Sequence, residues 1–419
     1  MRSRTAITTE AVATEASGTV TAAAHGHRSS IRVLFVTGAY YPEISAAAVQ
    51  CRAVAAALRG RVDFSVVTTA VDPALAATEM VDGVTVHRVA LDRRHPLSKV
   101  RASARLATSL WQAGQASDVI HIHGVSQKNL PAALVARWLG KPLVLTLHTS
   151  GQDEPDAVRR RGRLAYWAFM SPALVLAVSP SLSDSYHEAA GPARVVMLTP
   201  NGIDTQRFRP ANDDERVALR RGLGWSDTQP VVLFVGFFSR DKRPDLLFRA
   251  WHRLASTSVR SRLVYVGATG SGYYEIDQSL SGRIRADAAA CGRGDDVEFA
   301  RPTNDVDRYF RAADVFVLPS AREAHPLALL EAMACALPSV ATRLPGATDA
   351  IIEDGVNGRL VPVDDEPALA DALGGLLADR AAARAMGARA RETVLARYDV
   401  SRTSERWLAA YHTVLTEAQ

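Results

Sequence analysis

Short apolar runs alternate with longer helical patterns from residue 31 onward. The first run, Ile31–Val36, is rich in β-branched residues and too short for an ordinary helix, so it predicts a buried strand. An alanine-rich segment then predicts a helix from Ala46 to Leu58, ended by Gly60. Similar runs predict further strands at Asp63–Thr68, Val84–Val89, Val119–His123, Leu143–Leu147, Leu174–Val178 and Val195–Leu198. This alternation is typical of a parallel sheet covered by helices.

The same pattern begins again after residue 230. Strands are predicted at Val231–Gly236, Leu263–Gly267, Val297–Phe299, Val315–Leu318, Ser339–Thr342 and Gly358–Val361. Helices are predicted at Asp245–Ala255, Ser281–Cys291, Val306–Ala313, Ala381–Arg397 and Ser401–Thr416. The fold class is therefore α/β, with two Rossmann-like halves in tandem. Such halves bind ligands at the carboxyl ends of their strands, here across a cleft between them.

The predicted organisation has five parts. Residues 1–30 are rich in Ala, Thr, Ser and Gly without periodicity, and predict a disordered tail rather than a secretory signal. Residues 31–205 form the first Rossmann-like domain, and the charged residues 206–229 connect it to the second domain at 230–395. A C-terminal helix within 396–419 packs back across the domains.

Length and composition support this division. A chain of 419 residues that is 47% hydrophobic suggests two domains of about 150–200 residues each. The net charge of +5 fits an anionic ligand or an anionic membrane surface and requires neither. No basic stripe interleaved with aromatics occurs, so nucleic acid is not an expected partner. The three scattered cysteines indicate neither disulfides nor zinc and favour a reducing cytoplasm. No apolar run is long enough to cross a membrane.

The richest chemistry lies in Ser320–Cys335, which reads SAREAHPLALLEAMAC and leads from a predicted strand into a helix. Glu323 falls in the loop and Glu331 in the second helical turn. A helix N-terminus can receive a diphosphate, and a carboxylate further along can accept hydrogen bonds from a ribose diol. The arrangement therefore suits a nucleotide sugar. On these residues alone, helix capping with two solvated acids explains the segment equally well.

Two other patterns invite a metal interpretation. His121 and His123 point to the same face of a predicted strand, but no third ligand with recognisable spacing accompanies them. Asp305 and Asp307 form a DxD pair, but they stand where a helix begins, and Asn304 or Asp305 suits its N-cap. No metal site is predicted.

With both halves in place, the chain from about Ile31 onward resembles the retaining GT-B glycosyltransferases of family 4. The resemblance rests on four segments that occur in the family's order: PNGID at 200–204, VGFFSRDKRPDLL at 235–247, PSAREAHPLALLEAMACALPSVAT at 319–342 and IIEDGVNGRLV at 351–361. It implies two Rossmann-like domains, with the donor held mainly by the C-terminal one and the acceptor mainly by the N-terminal one. It also implies no metal ion and no cofactor, since the nucleotide sugar is a substrate.

The resemblance assigns roles to residues of the acidic segment. Glu331 resembles the carboxylate that binds the ribose hydroxyls, and Glu323 the acid beside the transferred sugar. The backbone N–H groups between them, which would face sugar and phosphates, belong to Ala324, His325 and Leu327. The family commonly has Gly-Phe-Gly where this chain has Ala324-His325-Pro326, and Pro326 lacks an N–H group. This departure puts the identity of the donor in doubt more than the activity.

Further donor-site residues follow from the same resemblance. Lys242 matches a family lysine that meets the diphosphate, whereas Phe237 replaces the matching arginine and Arg240 could supply the lost charge. Gly236 is assigned to the same site, and Arg301 to the region that contacts the base.

In the first domain, Ser45 and Ala46 stand where the family has a glycine pair close to the diphosphate. His148 matches a histidine near the donor sugar, although a histidine that caps a strand end is the alternative. Together with Glu323 and Lys242, His148 completes the predicted catalytic group.

The predicted activity is transfer of a hexosyl group from a UDP- or GDP-linked sugar to an acceptor hydroxyl with retention. The acceptor would be a small molecule, a glycan or a lipid-linked sugar, most simply in cell-surface polysaccharide or glycolipid synthesis. The alternatives are glycosylation of a secondary metabolite, a sugar-nucleotide 2-epimerase on the same fold, and a non-catalytic binding protein. The basic, aromatic segment Arg159–Met170 suggests peripheral contact with the inner face of the membrane, although a helix with a charged end and a buried aromatic face is favoured over it.

Overall fold

The structure of the chain is a computed structural model that describes residues 30–43, 45–90, 96–191, 193–254, 260–267 and 276–417, the side chains of residues 96–100 excepted. The tail predicted over 1–30 lies outside these residues apart from Ser30. Residues 268–272, which together with Gly267 read GATGSG in the sequence, also lie outside them.

Strands occur where the apolar runs predict them. The first half contains β1 (Ile31–Val36), β2 (Val62–Ala70), β3 (Thr78–Val81), β4 (Val84–Ala90), β5 (Val119–His123), β6 (Leu143–Leu147), β7 (Leu174–Ala177) and β8 (Val196–Leu198). The second half contains β9 (Val231–Val235), β10 (Arg262–Val266), β11 (Val297–Ala300), β12 (Val315–Leu318), β13 (Ser339–Thr342) and β14 (Arg359–Val361). Residues of β5, β6, β7, β12 and β13 are buried throughout, as expected for strands covered on both faces.

Helices separate most of the strands. They are α1 (Ala46–Ala57), α2 (Pro96–Gln115), α3 (Asn129–Leu139), α4 (Pro155–Arg159), α5 (Arg163–Met170), α6 (Pro180–Ala190), α7 (Asp213–Leu223), α8 (Pro244–Arg253), α9 (Gln278–Ala290), α10 (Val306–Ala312), α11 (Leu327–Ala334), α12 (Glu366–Ala378), α13 (Arg380–Arg397) and α14 (Val400–Glu417). In the part of the chain that the structure describes, no helix is both long and apolar enough to span a bilayer.

The strands form two sheets. Within the described ranges the first sheet has the order β3-β4-β2-β1-β5-β6-β7-β8, and the second has the order β11-β10-β9-β12-β13-β14. All pairings are parallel except that of β3 with β4. The pattern of hydrophobic positions did not predict β3, because its side chains alternate between exposed and half-buried at the edge of the sheet.

The segment predicted as a connection, 206–229, contains α7, which packs on α10 of the second domain. An Asn212–Glu215 capping box begins this helix. The guanidinium of Arg220 is buried, and its Nη2 donates to Oδ2 of Asp314 at 2.5 Å. Through these contacts α7 packs against elements of the second sheet.

The chain passes between the domains twice, and the two crossings are hydrogen bonded to each other. The N–H of Ile203 donates to the carbonyl of Tyr398 at 2.8 Å, and the N–H of Val400 donates to the carbonyl of Ile203 at 2.9 Å. A Cβ on Gly202 would lie 2.7 Å from the Cα of Val400, so only glycine fits this approach. The glycine of the PNGID segment is therefore explained by packing of one crossing on the other.

The second crossing leads into α14, which returns to the first domain. Trp407 and Tyr411 lie four residues apart on one face and are buried in the apolar core around β1. The Tyr411 hydroxyl lies 2.9 Å from Nδ1 of His121. The last helix of the chain therefore completes the core of the first domain.

Candidate active site

A cleft of about 2160 Å³ lies between the carboxyl ends of the strands of both sheets. Eleven of the twelve predicted site residues line it: Ser45, Ala46, His148, Gly236, Arg240, Lys242, Glu323, Ala324, His325, Leu327 and Glu331. Arg301 is exposed and is not among the lining residues, whereas the next three residues, 302–304, are. The sequence therefore located the cleft, but the structure does not place Arg301 against it.

Glu323 and Lys242 are paired across two loops of the second domain. The Nζ of Lys242 donates to Oε1 of Glu323 at 2.6 Å, and the hydroxyl of Ser320 donates to the same oxygen at 2.7 Å. The side chain of Glu323 is 8% exposed. The acid that the sequence assigned to the sugar and the lysine that it assigned to the diphosphate thus form an ion pair.

The loops that carry this pair are joined by their backbones as well. The N–H of Ala321 donates to the carbonyl of Asp241 at 2.7 Å. This bond fixes the loop after β9 against the loop after β12 at the edge of the cleft. The two loops are consequently joined by two hydrogen bonds, one between the side chains of Lys242 and Glu323 and one between the backbones of Ala321 and Asp241.

Glu331 has no comparable partner. It lies in the second turn of α11 and lines the cleft, and no donor among the described residues is within hydrogen-bonding distance of its carboxylate. Burial raises the pKa of Glu331 to about 7, an effect that Arg207 opposes and Asp307 reinforces. A half-buried carboxyl without donors is a group that a ligand hydroxyl can satisfy.

His148 directly follows β6 and faces His123, the last residue of the neighbouring strand β5. Nδ1 of His123 lies 3.2 Å from Nε2 of His148. Burial lowers the pKa of His148 to about 4 and that of His123 well below its ordinary value, so both rings are neutral at pH 7. His148 can therefore exchange a hydrogen bond in the cleft, but it does not bring a positive charge there.

Asp153, which the sequence did not single out, holds the loops after β5 and β6 together. Its carboxylate is buried and accepts the N–H groups of Val125 at 2.7 Å, His148 at 2.7 Å and Thr149 at 2.9 Å. The carboxylate thereby fixes the backbone of His148. One indication of this role was present in the sequence, because Asp153 lies in a polar loop five residues after His148, the histidine that follows a strand.

The Ala324–Pro326 loop is bound to both domains. Ala324 packs into the apolar core of the first domain, and the carbonyl of His325 accepts Nδ2 of Asn201 at 2.9 Å. The imidazole of His325 packs edge-on against Tyr398, with 5.2 Å between ring centroids, and burial lowers its pKa to about 3. Leu327, the next site residue, is the first residue of α11. Pro326 is its N-cap, and no side chain caps this helix end.

On the first-domain side, Ser45 caps a helix rather than presenting a free hydroxyl. Its Oγ accepts the N–H of Ala48 at 3.1 Å at the start of α1, and the adjacent Ala46 is exposed to the cleft.

On the opposite side of the cleft, Gly236 and Gly267 approach each other closely. A Cβ on Gly267 would lie 2.0 Å from the carbonyl oxygen of Gly236, and its φ of +150° lies in the left-handed half of backbone space.

Arg240 is 87% exposed, and its Nε lies 3.4 Å from Oδ2 of Asp277. The charge predicted to replace the missing family arginine therefore lies at the mouth of the cleft.

The two patterns that invited a metal interpretation have structural partners. His121 contacts Tyr411 and, through Nε2, the hydroxyl of Thr146 at 2.7 Å. Asp305 occupies the N-cap position of α10 without a side-chain capping bond, and Asp307 pairs with Arg207 at 3.0 Å. Among the described residues, no group of three or more His, Cys, Asp or Glu side chains could hold a metal ion.

Two family models and several relatives match the chain. The family model described as "Glycosyl transferases group 1" matches residues 215–393, and that described as "Glycosyltransferase Family 4" matches residues 47–207. The D-inositol 3-phosphate glycosyltransferase of Kribbella flavida is 32% identical over 378 residues, which cover 83% of this chain and 85% of the relative. The protein of the same name from Acidothermus cellulolyticus is 33% identical over 330 residues, covering 71% and 70% respectively.

Solved structures share the fold. Sucrose-phosphate synthase from Thermosynechococcus elongatus superposes with a TM-score of 0.76 at 22% identity, covering 92% of this chain and 100% of that one. Anabaena HepE in complex with UDP-glucose gives a TM-score of 0.75 at 20% identity, with coverage of 91% and 100%. Both sheets and the cleft between them thus follow the GT-B architecture.

Proposed function

The chain belongs to the glycosyltransferases of group 1 and family 4, and on this premise we propose that it transfers a sugar from a nucleoside-diphosphate sugar to an acceptor hydroxyl with retention. One observation carries the proposal. Glu331, Glu323 and Lys242 line a single cleft, and the carboxylate of Glu331 has no hydrogen-bond donor among the described residues.

In this proposal the donor lies along α11. Glu331 accepts hydrogen bonds from the ribose diol, and the N-terminus of α11, which no side chain caps, faces the diphosphate. Lys242 turns from Glu323 to the diphosphate, or bridges the two. HepE has been solved with UDP and with UDP-glucose, which supports a uridine donor here, with a guanosine donor as the other candidate.

The proposed chemistry occurs on one face of the sugar. The bond between the anomeric carbon and the diphosphate oxygen breaks, and the bond to the acceptor oxygen forms on the same face. The departing diphosphate oxygen takes the acceptor's proton. Lys242 and the α11 N-terminus stabilise the negative charge that accumulates on the diphosphate, and Glu323 faces the electron-poor sugar. The step calls on no metal ion.

Two acceptor classes remain in the proposal. A small phosphorylated molecule is favoured by the relatives named for inositol 3-phosphate. A cell-surface polysaccharide or glycolipid intermediate is the second class. The outer surface of α3 and α5 supports it, because Trp138 is 79%, Leu164 67% and Trp167 38% exposed.

A membrane contact would use this α3–α5 surface, defined by Trp138, Leu164 and Trp167. The exposed Arg160 and Arg163 lie beside it and suit anionic headgroups of the inner leaflet. The aromatic segment predicted for this contact, Arg159–Met170, is only partly available. Phe169 is buried, and Tyr166 is half-buried under the guanidinium of Arg159, at 4.8 Å from the ring centroid.

The function is tested by binding and then by turnover. The melting temperature of the purified chain is measured with UDP, GDP, ADP and dTDP and their sugar conjugates, for wild type, Glu331→Ala and the exposed control Glu392→Ala. Saturation at about 100 times Kd adds about 2.7 kcal/mol of stability. We expect one nucleotide to stabilise wild type and the control but not Glu331→Ala; equal stabilisation of all three refutes the ribose assignment.

Measuring turnover distinguishes a transferase from a sugar-nucleotide epimerase. Acceptor-dependent release of nucleoside diphosphate identifies a transferase, whereas conversion of the sugar nucleotide without acceptor identifies an epimerase. The anomeric proton coupling of the product, compared with that of the donor, then shows retention or inversion.

A further inference from the structure

Lys128 is a buried lysine on the first-domain side of the cleft, and the donor-side chemistry does not use it. It is the N-cap residue of α3 and is 7% exposed, yet it lines the cleft. Lysine is rarely buried to this extent unless an opposite charge or several acceptors satisfy it. Its surroundings therefore indicate what it binds.

The protein itself satisfies this ammonium poorly. The hydrogen bond that Nζ makes among the described residues goes to the carbonyl of Gly38, at 3.5 Å. The nearest acid that acts on it is Glu43, whose Oε1 already accepts the N–H groups of Val71 at 2.8 Å and Asp72 at 3.0 Å. Glu43 does not line the cleft. An ammonium group has three donors, so Lys128 retains capacity for an anion from the cleft.

The start of α3 adds to the positive potential at this point. The helix has eleven residues, and Ser126, Gln127, Lys128 and Leu130 line the cleft where it begins. The carboxamide oxygen of Asn129 accepts the N–H of Ser126 at 2.7 Å, which turns this side chain toward the preceding loop. No side chain caps the helix. The N–H groups of Lys128 and Asn129 donate to Ser126, and Pro131 has no N–H group. In the first turn, Leu130 is therefore the residue that offers an N–H to an anion. A helix beginning and a buried ammonium thus point to the same space.

The other charges of this half of the cleft are committed to protein groups. Arg52 pairs with Asp82, and Arg161 donates to the carbonyls of Val125 at 3.1 Å and Gln152 at 3.3 Å. The lining carboxylate, Asp153, is bonded to backbone N–H groups. The first-domain side of the cleft therefore carries more cationic than anionic lining groups, and Lys128 is the most deeply buried of the cationic ones.

We propose that Lys128 and the beginning of α3 form a subsite for an oxyanion on the acceptor, a phosphate monoester or a carboxylate. This inference rests on the proposed transferase function and names the substrate class of its acceptor half. Asp153 connects the loop of Lys128 to the backbone of His148, so an acceptor held at Lys128 is positioned relative to the residue that faces the donor sugar. Lysine recognises such a group as a point charge.

Titration calorimetry at constant ionic strength, on wild type and Lys128→Met saturated with the nucleotide found above, tests the subsite. The probes are glucose 6-phosphate, fructose 6-phosphate, inositol 1-phosphate, glucuronate, glucose and inositol. We expect at least one anionic probe to bind wild type at least tenfold more tightly than its neutral counterpart. Lys128→Met should remove this preference, and Lys128→Arg should retain part of it. Binding of the anion should weaken as pH rises through about 8, where burial places the lysine pKa.

Lys141→Met, which removes a lysine just beyond the opposite end of α3, is the matched control and should keep the preference. Preference for phosphates identifies a phosphorylated acceptor, and preference for glucuronate a uronic acid. Equal affinity for anionic and neutral probes, no binding of any anionic probe at millimolar concentration, or an undiminished preference in Lys128→Met overturns the subsite. Loss of nucleotide binding in Lys128→Met also overturns it, because the lysine then serves the donor.

The two proposals fail in distinguishable ways. If no nucleotide binds in a Glu331-dependent manner, the transferase assignment fails first. If a nucleotide binds to wild type and Lys128→Met alike and the anion preference is missing, only the acceptor subsite fails.

Discussion

The ammonium of Lys242 lies 2.6 Å from Oε1 of Glu323, so the base assigned to the diphosphate neutralises the acid assigned to the sugar. The pair spans two loops at the carboxyl ends of β9 and β12, which are neighbours in the second sheet. A diphosphate that enters the cleft competes with Glu323 for the lysine. We therefore expect donor binding and the position of the acid to be coupled through this one hydrogen bond.

Lys242→Met should weaken nucleotide binding and also lower stability. Removing the lysine leaves the Glu323 carboxylate with the Ser320 hydroxyl as its remaining hydrogen-bond donor among the described residues. We expect this loss to lower the unfolding free energy by about 1–3 kcal/mol. The double variant Lys242→Met/Glu323→Gln should regain most of that stability without regaining nucleotide affinity. Urea denaturation and nucleotide titration measure the two effects separately. A double variant no more stable than the single one would show that the pair contributes nothing to folding.

Glu331→Gln should abolish nucleotide binding while stabilising the fold at alkaline pH. The raised pKa of about 7 means that the folded state favours the protonated carboxyl. The destabilisation is absent below the unfolded pKa, grows as pH rises toward about 7 and is complete above it. Glutamine carries no charge, so its advantage over wild type should grow from near zero at pH 4.5 to about 3 kcal/mol at pH 8. Chemical denaturation at several pH values checks this, with Glu392→Gln as control.

His325→Phe should make the fold less sensitive to acid. Burial lowers the pKa of His325 to about 3, so between about pH 6.5 and 3 the unfolded chain takes up a proton that the folded chain refuses. Stability conferred by the neutral ring is complete above pH 6.5 and is lost as pH falls. Each such histidine contributes about 1.4 kcal/mol per pH unit to the slope, which the variant should reduce by that amount. Unfolding free energies at pH 4–6 measure it, with exposed His412→Phe as control; an unchanged slope would contradict the expectation.

Trp407→Ala should destabilise the first domain although the residue belongs to the last helix. The indole is 1% exposed and packs edge-on against Phe35, with 5.8 Å between ring centroids. Truncation of a buried tryptophan costs about 3–5 kcal/mol. The control is Glu405→Ala, also in α14. It removes an exposed ion pair with Arg61 and should change the unfolding free energy little. Hydrogen exchange of β1 and β5 amides should rise in the first variant only.

The sequence predicted the strands well because their apolar, β-branched runs are dictated by burial on both faces. It missed β3, whose half-exposed side chains give no such run, and α7, whose charged sequence hides the buried Arg220. In the site, the sequence predicted the acidic segment because Glu323 precedes the start of a helix and Glu331 lies in the second turn of that helix. Asp153 and the buried Lys128 were not singled out, since their positions depend on contacts with distant loops that spacing does not show.

The paired crossings near Ile203 and Asp399 have a consequence for motion. Two chain segments hydrogen bonded to each other bend together more easily than they twist, because twisting would break the bonds on either side of Ile203. We expect the domains to rotate about one axis through this pair, which narrows or widens the cleft without sliding one wall along the other. The same loops would therefore face each other at every degree of opening.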